Sequence, residues 1–426
     1  MSQLKSTEKS WNLKMTQFGK ATENPLRKIW EGAKVFPNPR KETITLQIGD
    51  PTVFGNFPMS QESVNAVKDA LDRDNFAYTV SAGMKSARQA VAEYVNDNNN
   101  ENVSSDDIIL TSGCSTALEI CFRAFANPGE NILIPRPAWN YTTWVCGSGI
   151  NVQFYNLDPS KNWEIDLDQM ESLINESTKA ILVNNPGNPC GNVFSKEHIL
   201  EILKIAERHK LPIIADEVYE FFVFPGVQFH SVSSLSRNVP ILTCSGLTKR
   251  FLMPGIRMGW IVINDRNNTF DDIRQGLANI AGRNFWPNST VQLALPEIIK
   301  NTPQEFFDDN NRRVHCHALS AYNILKDVVG LHPIMPQGAM YMMIGIELQR
   351  FPQYTTCLEF TQGLTKEQSV QTFPGFPCFF YPSFFRIVLT VPEHLITEAC
   401  RRIKEFCETN YKNDATDKHI HPLKKG

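Results

Sequence analysis

PILTCSGLTKRFLMPGIRMGWIVI (240–263) holds two apolar β-type runs, 240–244 and 259–263, on either side of a loop. Runs apolar on both faces read as strands buried inside a sheet. The loop between them carries Lys249, bracketed by small and hydroxyl residues: Ser245, Gly246 and Thr248. That is an odd setting for a solvated surface lysine. A neutral lysine amine adds to an aldehyde to give a Schiff base. The neighbouring cations Arg250 and Arg257 suit an anion beside it, and an arginine eight residues beyond the lysine can neutralise a phosphate. The plain alternative is a surface loop with solvated cations.

Five more short β-branched runs lie upstream, at 107–111, 131–134, 152–157, 180–184 and 212–215. Segments with helical spacing separate them, at 115–126, 167–175 and 196–209, and two more helical patterns precede them at 60–73 and 84–96. This alternation predicts an α/β fold with a mostly parallel seven-stranded sheet covered by helices. Residues 270–328 read as mainly helical. GAMYMMIGI and FFRIVLT then read as strands, and the helix-like EHLITEACRRIKEFCETNY follows. The expected organisation is a flexible arm at 1–20 and a bridging segment at 21–60 that joins the small domain. A large domain at 61–328 and a smaller α+β domain at 329–411 follow, with a disordered tail at 412–426.

The chain has 426 residues, enough for two or three domains. Lys plus Arg is 42 against 45 for Asp plus Glu, a net charge of −3, which argues against a nucleic-acid binder that works by bulk charge. Hydrophobic residues make up 42% and charged residues 20%, a globular composition. No apolar run approaches the roughly 18–20 residues that cross a bilayer, and the N-terminus has no secretory core, so neither a membrane nor secretion is expected. Ten cysteines stand singly with no CxxC pair, which reads as reduced thiols in a cytoplasmic setting. His315, Cys316 and His317 fall in a predicted helix, where adjacent positions face apart, and His419 and His421 lie in the tail. No metal site is expected.

Three further motifs bear on chemistry. Asp216, in Ala215-Asp216-Glu217-Val218-Tyr219, sits at the carboxyl end of a predicted strand, where open α/β sheets bind ligands. A carboxylate there can pair with a pyridinium nitrogen, and Tyr219 can donate to a ring oxygen; the alternative is a helix cap. Two prolines and two glycines fix the turn Asn184-Asn185-Pro186-Gly187-Asn188-Pro189-Cys190-Gly191 and present Asn188, unless this is an ordinary turn asparagine. Ser112, Gly113 and Cys114 lie where a strand ends and a helix begins, a place suited to an anion or to plain capping.

In this order, and with NPLRKIWEGAKVFPNP, LQIGDPTVFGNFP, VNNPGNPCGNVFSKEH, QGAMYMMIGIE and FFRIVLTVPE, the set resembles the class I aminotransferases of the pyridoxal-phosphate fold type I superfamily over residues 22–411. The resemblance implies that Lys249 holds pyridoxal 5'-phosphate as a Schiff base and then shuttles a proton. Asp216 pairs with the pyridinium nitrogen, and Tyr219 and Asn188 hydrogen-bond the 3-oxygen. Ser112, Gly113, Cys114, Ser245 and Arg257 hold the phosphate. Tyr78 reaches the phosphate of a neighbouring subunit and Trp139 stacks on the ring. Arg386 clamps the substrate α-carboxylate near Gly49 and Asn188. The position three before the lysine, often serine in the wider class, is Gly246 here.

The expectation is a homodimer that moves the amine of an aromatic L-amino acid, tyrosine or phenylalanine, to a 2-oxo acid such as 2-oxoglutarate. An aromatic neighbourhood (Trp139, Tyr141, Trp144, Phe285, Trp286) suits a stacked ring, with Arg283 as a cation for a distal carboxylate. A carbon–sulfur lyase, or an aminotransferase for alanine or a nicotianamine-like donor, shares the lysine, aspartate and arginine.

Overall fold

The structure, a computed structural model, describes residues 11, 13–32, 35–73, 77–283 and 287–412. Most of the tail, part of the arm, and Phe285, Trp286, His419 and His421 lie outside them.

Strand β1 (Ile44–Thr45) comes first in the chain and stands apart from the two larger sheets. The large sheet holds β2 (Ile108–Thr111), β3 (Asn131–Arg136), β4 (Asn151–Asp158), β5 (Glu164–Ile165), β6 (Thr178–Asn184), β7 (Ile213–Asp216), β8 (Ile241–Gly246) and β9 (Gly259–Asn264). Their order across the sheet is β2-β9-β8-β7-β6-β3-β4-β5. The seven expected strands are all present. The eighth, β5, is a two-residue edge strand folded back on β4, too short to leave a pattern in the sequence.

The core of the sheet is parallel, from β4 through β3, β6 and β7 to β8. Strand β9 turns antiparallel against β8 and β2. The reason lies in the loop 247–258, whose only helical piece is a three-residue turn at Pro254–Ile256. A parallel return needs a crossover, usually a helix, to cross the sheet. The loop instead closes as a wide hairpin, with Leu247 N–H donating to Met258 O at 3.1 Å. Lys249 therefore stays at the carboxyl end of β8.

Both faces of the sheet are covered. On one, Ala117, Leu118, Cys121 and Phe122 of the helix Cys114–Phe125 pack on Ile214, Leu242 and Ile261. On the other, Ile199, Ile202 and Ala206 of the helix Lys196–His209 pack on Ile181, Val183 and Ile213. That second helix spans the predicted residues. Ser195 caps it, its side chain accepting from His198 N–H at 3.2 Å.

The C-terminal part adds β10 (Leu331–Pro333), β11 (Tyr341–Ile346), β12 (Val370–Gln371), β13 (Phe373–Pro374) and β14 (Phe384–Val388). Four of them form an antiparallel sheet in the order β10-β11-β14-β13. Residues Ile396, Ile403 and Phe406 of the helix Glu393–Asn410 pack in the same core as Ile344, Phe385 and Ile387. Strand β12 pairs in parallel with β1. That ladder, with Val388 N–H of β14 donating to Leu46 O at 3.0 Å, ties the segment around Leu46 to the small sheet and brings Gln47 and Gly49 over the end of the large one.

Candidate active site

Parallel strands in register end together. Asn184 of β6 lies beside Asp216 of β7, and Asp216 lies beside Cys244 of β8. These carboxyl ends form the floor of a cleft of about 840 Å³. Residues 18–30 and 47–50 form one wall, and Tyr341, Phe373 and Arg386 of the small sheet another.

Asp216 is 5% exposed at that floor. Its Oδ2 accepts from the Tyr141 hydroxyl at 2.6 Å, and its Oδ1 accepts from Val218 N–H at 3.3 Å and from the Cys114 thiol at 3.7 Å. No helix begins after it, so the helix-cap alternative does not hold. Burial raises its pKa, and the hydrogen bonds from Tyr141 and Val218 partly offset that. All three partners are neutral, so the carboxylate is suited to a cationic N–H arriving from the cleft.

Lys249 Nζ reaches into the cleft and donates to the Gly49 carbonyl. It stands 5.8 Å from the centre of the Tyr219 ring. The Tyr219 hydroxyl is buried and lies 2.7 Å from that of Tyr341; burial pushes its pKa up. Asn188 is held by its neighbour: Asn184 Oδ1 accepts from Asn188 N–H at 2.8 Å, and Asn184 Nδ2 donates to Asp216 O at 3.0 Å. Asn184 is thus the pivot of the turn, a role the motif alone did not reveal.

Arg386 is 1% exposed. Nη1 donates to Asn188 Oδ1 and Nη2 to Gln47 O, each at 2.9 Å, while Nε has no partner. An arginine so buried, with no carboxylate among those partners, is prepared for an anionic ligand. Trp139 lines the same cleft, and its backbone N–H donates to Asn188 O at 3.0 Å.

Arg257 lies at the rim, with Nη1 donating to Pro254 O at 3.1 Å and Nη2 to Ser112 O at 3.3 Å. Gly113 precedes the helix Cys114–Phe125 with φ +89°, and a Cβ there would lie 2.5 Å from Arg257 Nη2. Only glycine lets the guanidinium sit against the opening turn of that helix, where unsatisfied N–H groups favour a phosphate. An amine, a buried carboxylate and an arginine beside a helix N-terminus match the donor set that a phosphorylated pyridine aldehyde requires.

Several expected residues fall elsewhere. Ser245 is turned away from the cleft: its hydroxyl donates to Glu220 Oε1 at 2.7 Å. Side chains alternate along β8, and Cys244 takes the face covered by the helix Cys114–Phe125, its thiol 3.6 Å from that of Cys121. Thr248 lines the cleft instead. Arg250 is buried apart, its guanidinium carbon 4.4 Å from the Phe307 ring centre and 4.5 Å from that of Phe221. Arg283 is absent from the cleft wall; the cations there are Arg27, Arg123, Lys249, Arg257 and Arg386. Ser112 and Gly113 meet the cleft only through the backbone against Arg257, and Cys114 lines it directly. Tyr78 is 90% exposed and does not line this chain's own cleft. Tyr141 and Trp144 line it.

The family model for aminotransferase class I and II matches residues 41–403. Tyrosine aminotransferase of Mus musculus is 48% identical over 410 residues, covering 96% of this chain and 90% of that one. The Homo sapiens tyrosine aminotransferase is 46% identical over 411 residues, with the same coverage. The crystal structure of tyrosine aminotransferase from Leishmania infantum superposes with a TM-score of 0.91 at 30% identity, covering 95% of this chain and all of that one.

Proposed function

The chain belongs to the class I and II aminotransferases, and on that footing we propose that it moves the amine of tyrosine or phenylalanine to 2-oxoglutarate, using pyridoxal 5'-phosphate. The observation that carries this reading is the meeting of Lys249, Asp216 and Arg386 in one cleft with aromatic walls, in a chain 46–48% identical to tyrosine aminotransferases.

Bound there, pyridoxal phosphate supplies an aldehyde for the amine and a ring that takes up electrons. Arg257 and the opening N–H groups of the helix Cys114–Phe125 hold its phosphate, with Thr248 at the same rim. Asp216 holds the proton on the ring nitrogen, kept ionised for that purpose once a cation faces it. Tyr219 and Asn188 donate to the 3-oxygen, and Trp139 covers the ring face and keeps water from it. Arg386 fixes the α-carboxylate of both the amino acid and the oxo acid, so one site serves both half-reactions. Lys249 Nζ would carry the proton from the substrate Cα to a carbon of the cofactor in one half-reaction and back in the other.

Exposed apolar side chains support the homodimer. Trp11 is 92%, Leu13 84% and Tyr78 90% exposed, surfaces suited to a second copy. All ten cysteines are unpaired, which supports a reducing compartment, the cytoplasm. No helix among the described residues is long and apolar enough to cross a membrane.

The test is a panel of amino donors against 2-oxoglutarate with cofactor-saturated protein. Tyrosine and phenylalanine should give the highest kcat/KM. An advantage of alanine or aspartate over tyrosine beyond about tenfold, roughly 1.4 kcal/mol of transition-state binding, overturns the aromatic assignment. A cysteine conjugate that yields pyruvate and ammonia, with no amine passed to 2-oxoglutarate from any donor, overturns the transfer itself.

A further inference from the structure

Tyr341 lies on β11, where all six residues are buried, and it is 1% exposed. A phenol in so apolar a run requires a partner for its hydroxyl. The partner is Tyr219 Oη at 2.7 Å, with the two rings edge to face. The face of the Tyr341 ring supports Arg386, whose guanidinium carbon is 4.2 Å from the ring centre. Asn188 and Gln47 tie two nitrogens of that guanidinium, and the ring holds it from the side. A third approach involves Gly49: a Cβ built there would lie 2.6 Å from Tyr341 Oη. The carbonyl of the same glycine accepts from Lys249 Nζ. One phenol therefore meets the arginine, the second tyrosine and the backbone that holds the lysine.

The direction of one proton follows. Tyr219 Oη carries a single hydrogen, and in the function proposed above it points to the 3-oxygen of the cofactor. Tyr219 Oη is then an acceptor on the side of Tyr341. Resting on that reading, we propose that Tyr341 is a positioning residue: its hydroxyl donates to Tyr219 and so aims the Tyr219 proton into the cleft, while its ring keeps the Arg386 guanidinium in plane. Linked hydrogen bonds polarise one another, so donation from Tyr341 makes Tyr219 the stronger donor to an oxyanion. The other charged groups facing Tyr219 are Lys249, Arg386 and Asp216, and the variants below leave all three in place.

The experiment is a spectral pH titration of the visible band of the holoenzyme, in wild type, Tyr341→Phe, Tyr219→Phe and the double variant. The deprotonated form of the chromophore bears the fuller charge on the 3-oxygen, so weaker donation raises the titration midpoint. Tyr341→Phe should raise it by about 0.3 pH unit or more, roughly a twofold change in proton affinity. It should add no shift in the Tyr219→Phe background. Because Tyr341→Phe keeps the ring under Arg386, KM for tyrosine should stay within about twofold, whereas Tyr341→Leu should raise KM for every amino and oxo acid. An unchanged midpoint in Tyr341→Phe, or the same shift with Tyr219 already removed, overturns the inference alone. A wild-type protein that acquires no visible band overturns the functional reading and the inference with it.

Discussion

Asp216 and Glu217 are consecutive, both carboxylates are buried, and desolvation raises the pKa of both, yet they belong to different regions of the molecule. Asp216 faces the cleft and is held by Tyr141, Cys114 and Val218 N–H. Glu217 faces a closed cluster, accepting from Val232 N–H and the Ser231 hydroxyl, each at 2.8 Å. In the same cluster Ser245 donates to Glu220 and Arg250 donates to Tyr94. None of Glu217, Glu220, Ser245 and Arg250 lines the cleft. The loop that carries the amine repeats the division, with Thr248, Lys249 and Arg257 on the cleft side and Arg250 on the other. Residue type is the same on both sides. What separates the working group from the scaffolding group is whether its partners leave a direction open to a ligand.

The comparison breaks if variants on the two sides behave alike. The largest difference is expected at Asp216. Asp216→Asn keeps the shape and removes the charge that holds a cationic ring nitrogen. Single-turnover rates should fall on the order of 10³-fold, about 4 kcal/mol of transition-state stabilisation, with cofactor still bound. Normal turnover would return Asp216 to the scaffold.

Next comes Arg386→Lys. A lysine cannot reproduce the planar fork, and a hydrogen bond to a charged group is worth about 1.5–3 kcal/mol. KM for amino and oxo acids alike should rise about 10- to 100-fold. Strong discrimination among donors would instead place Arg386 beside the substrate side chain.

On the closed side, Ser245→Ala leaves a buried Glu220 oxygen without its donor, a loss of about 1–3 kcal/mol of stability. Thermal melts should show that loss, while cofactor affinity measured by titration stays within about twofold. A large drop in affinity with an unchanged melt would make Ser245 a phosphate ligand after all.

The remaining contrast is the pH response of Glu217, read in stability and not in turnover. Its pKa is pushed up to about 8 from an ordinary 4.5. The fold binds this proton more tightly than the unfolded chain does. The stability it contributes is therefore complete below the ordinary value and is lost as pH rises toward about 8. Glu217→Gln should flatten the decline in melting temperature between pH 5 and 8 and leave kcat near wild type. An unaltered slope would mean that Glu217 titrates normally.

The sequence made the framework legible because strands buried on both faces are written as unbroken apolar runs. The seven full strands of the large sheet followed from that pattern, and the helix Lys196–His209 from its helical spacing. Strands β5, β12 and β13 did not, since two residues carry no period. The helix Cys357–Gln368 was hidden because Thr361, Gly363 and Thr365 occupy its buried face. In the site, residues anchored by strand ends or fixed turns were legible: Asp216, Asn188 and Lys249 converge as their motifs implied. Ser245 was misread because a motif gives position but not the side of the strand. Its neighbour Cys244 takes the face under the helix Cys114–Phe125, which leaves Ser245 on the other. Tyr341 and Asn184 act through other residues, and such partnerships across the chain leave no local signal. Only the polar tip in the apolar run YMMIGI pointed toward the first.

The central claim is that Lys249 is the covalent anchor of the cofactor, and borohydride reduction followed by peptide mass spectrometry tests it most directly. Reduction of the holoenzyme fixes a cofactor carbon to the amine that holds it. The account predicts one phosphopyridoxyl-modified lysine, in the peptide that contains Lys249, and loss of that label when the protein is first incubated with tyrosine. A label on another lysine, or a reduced protein that carries none, would contradict it.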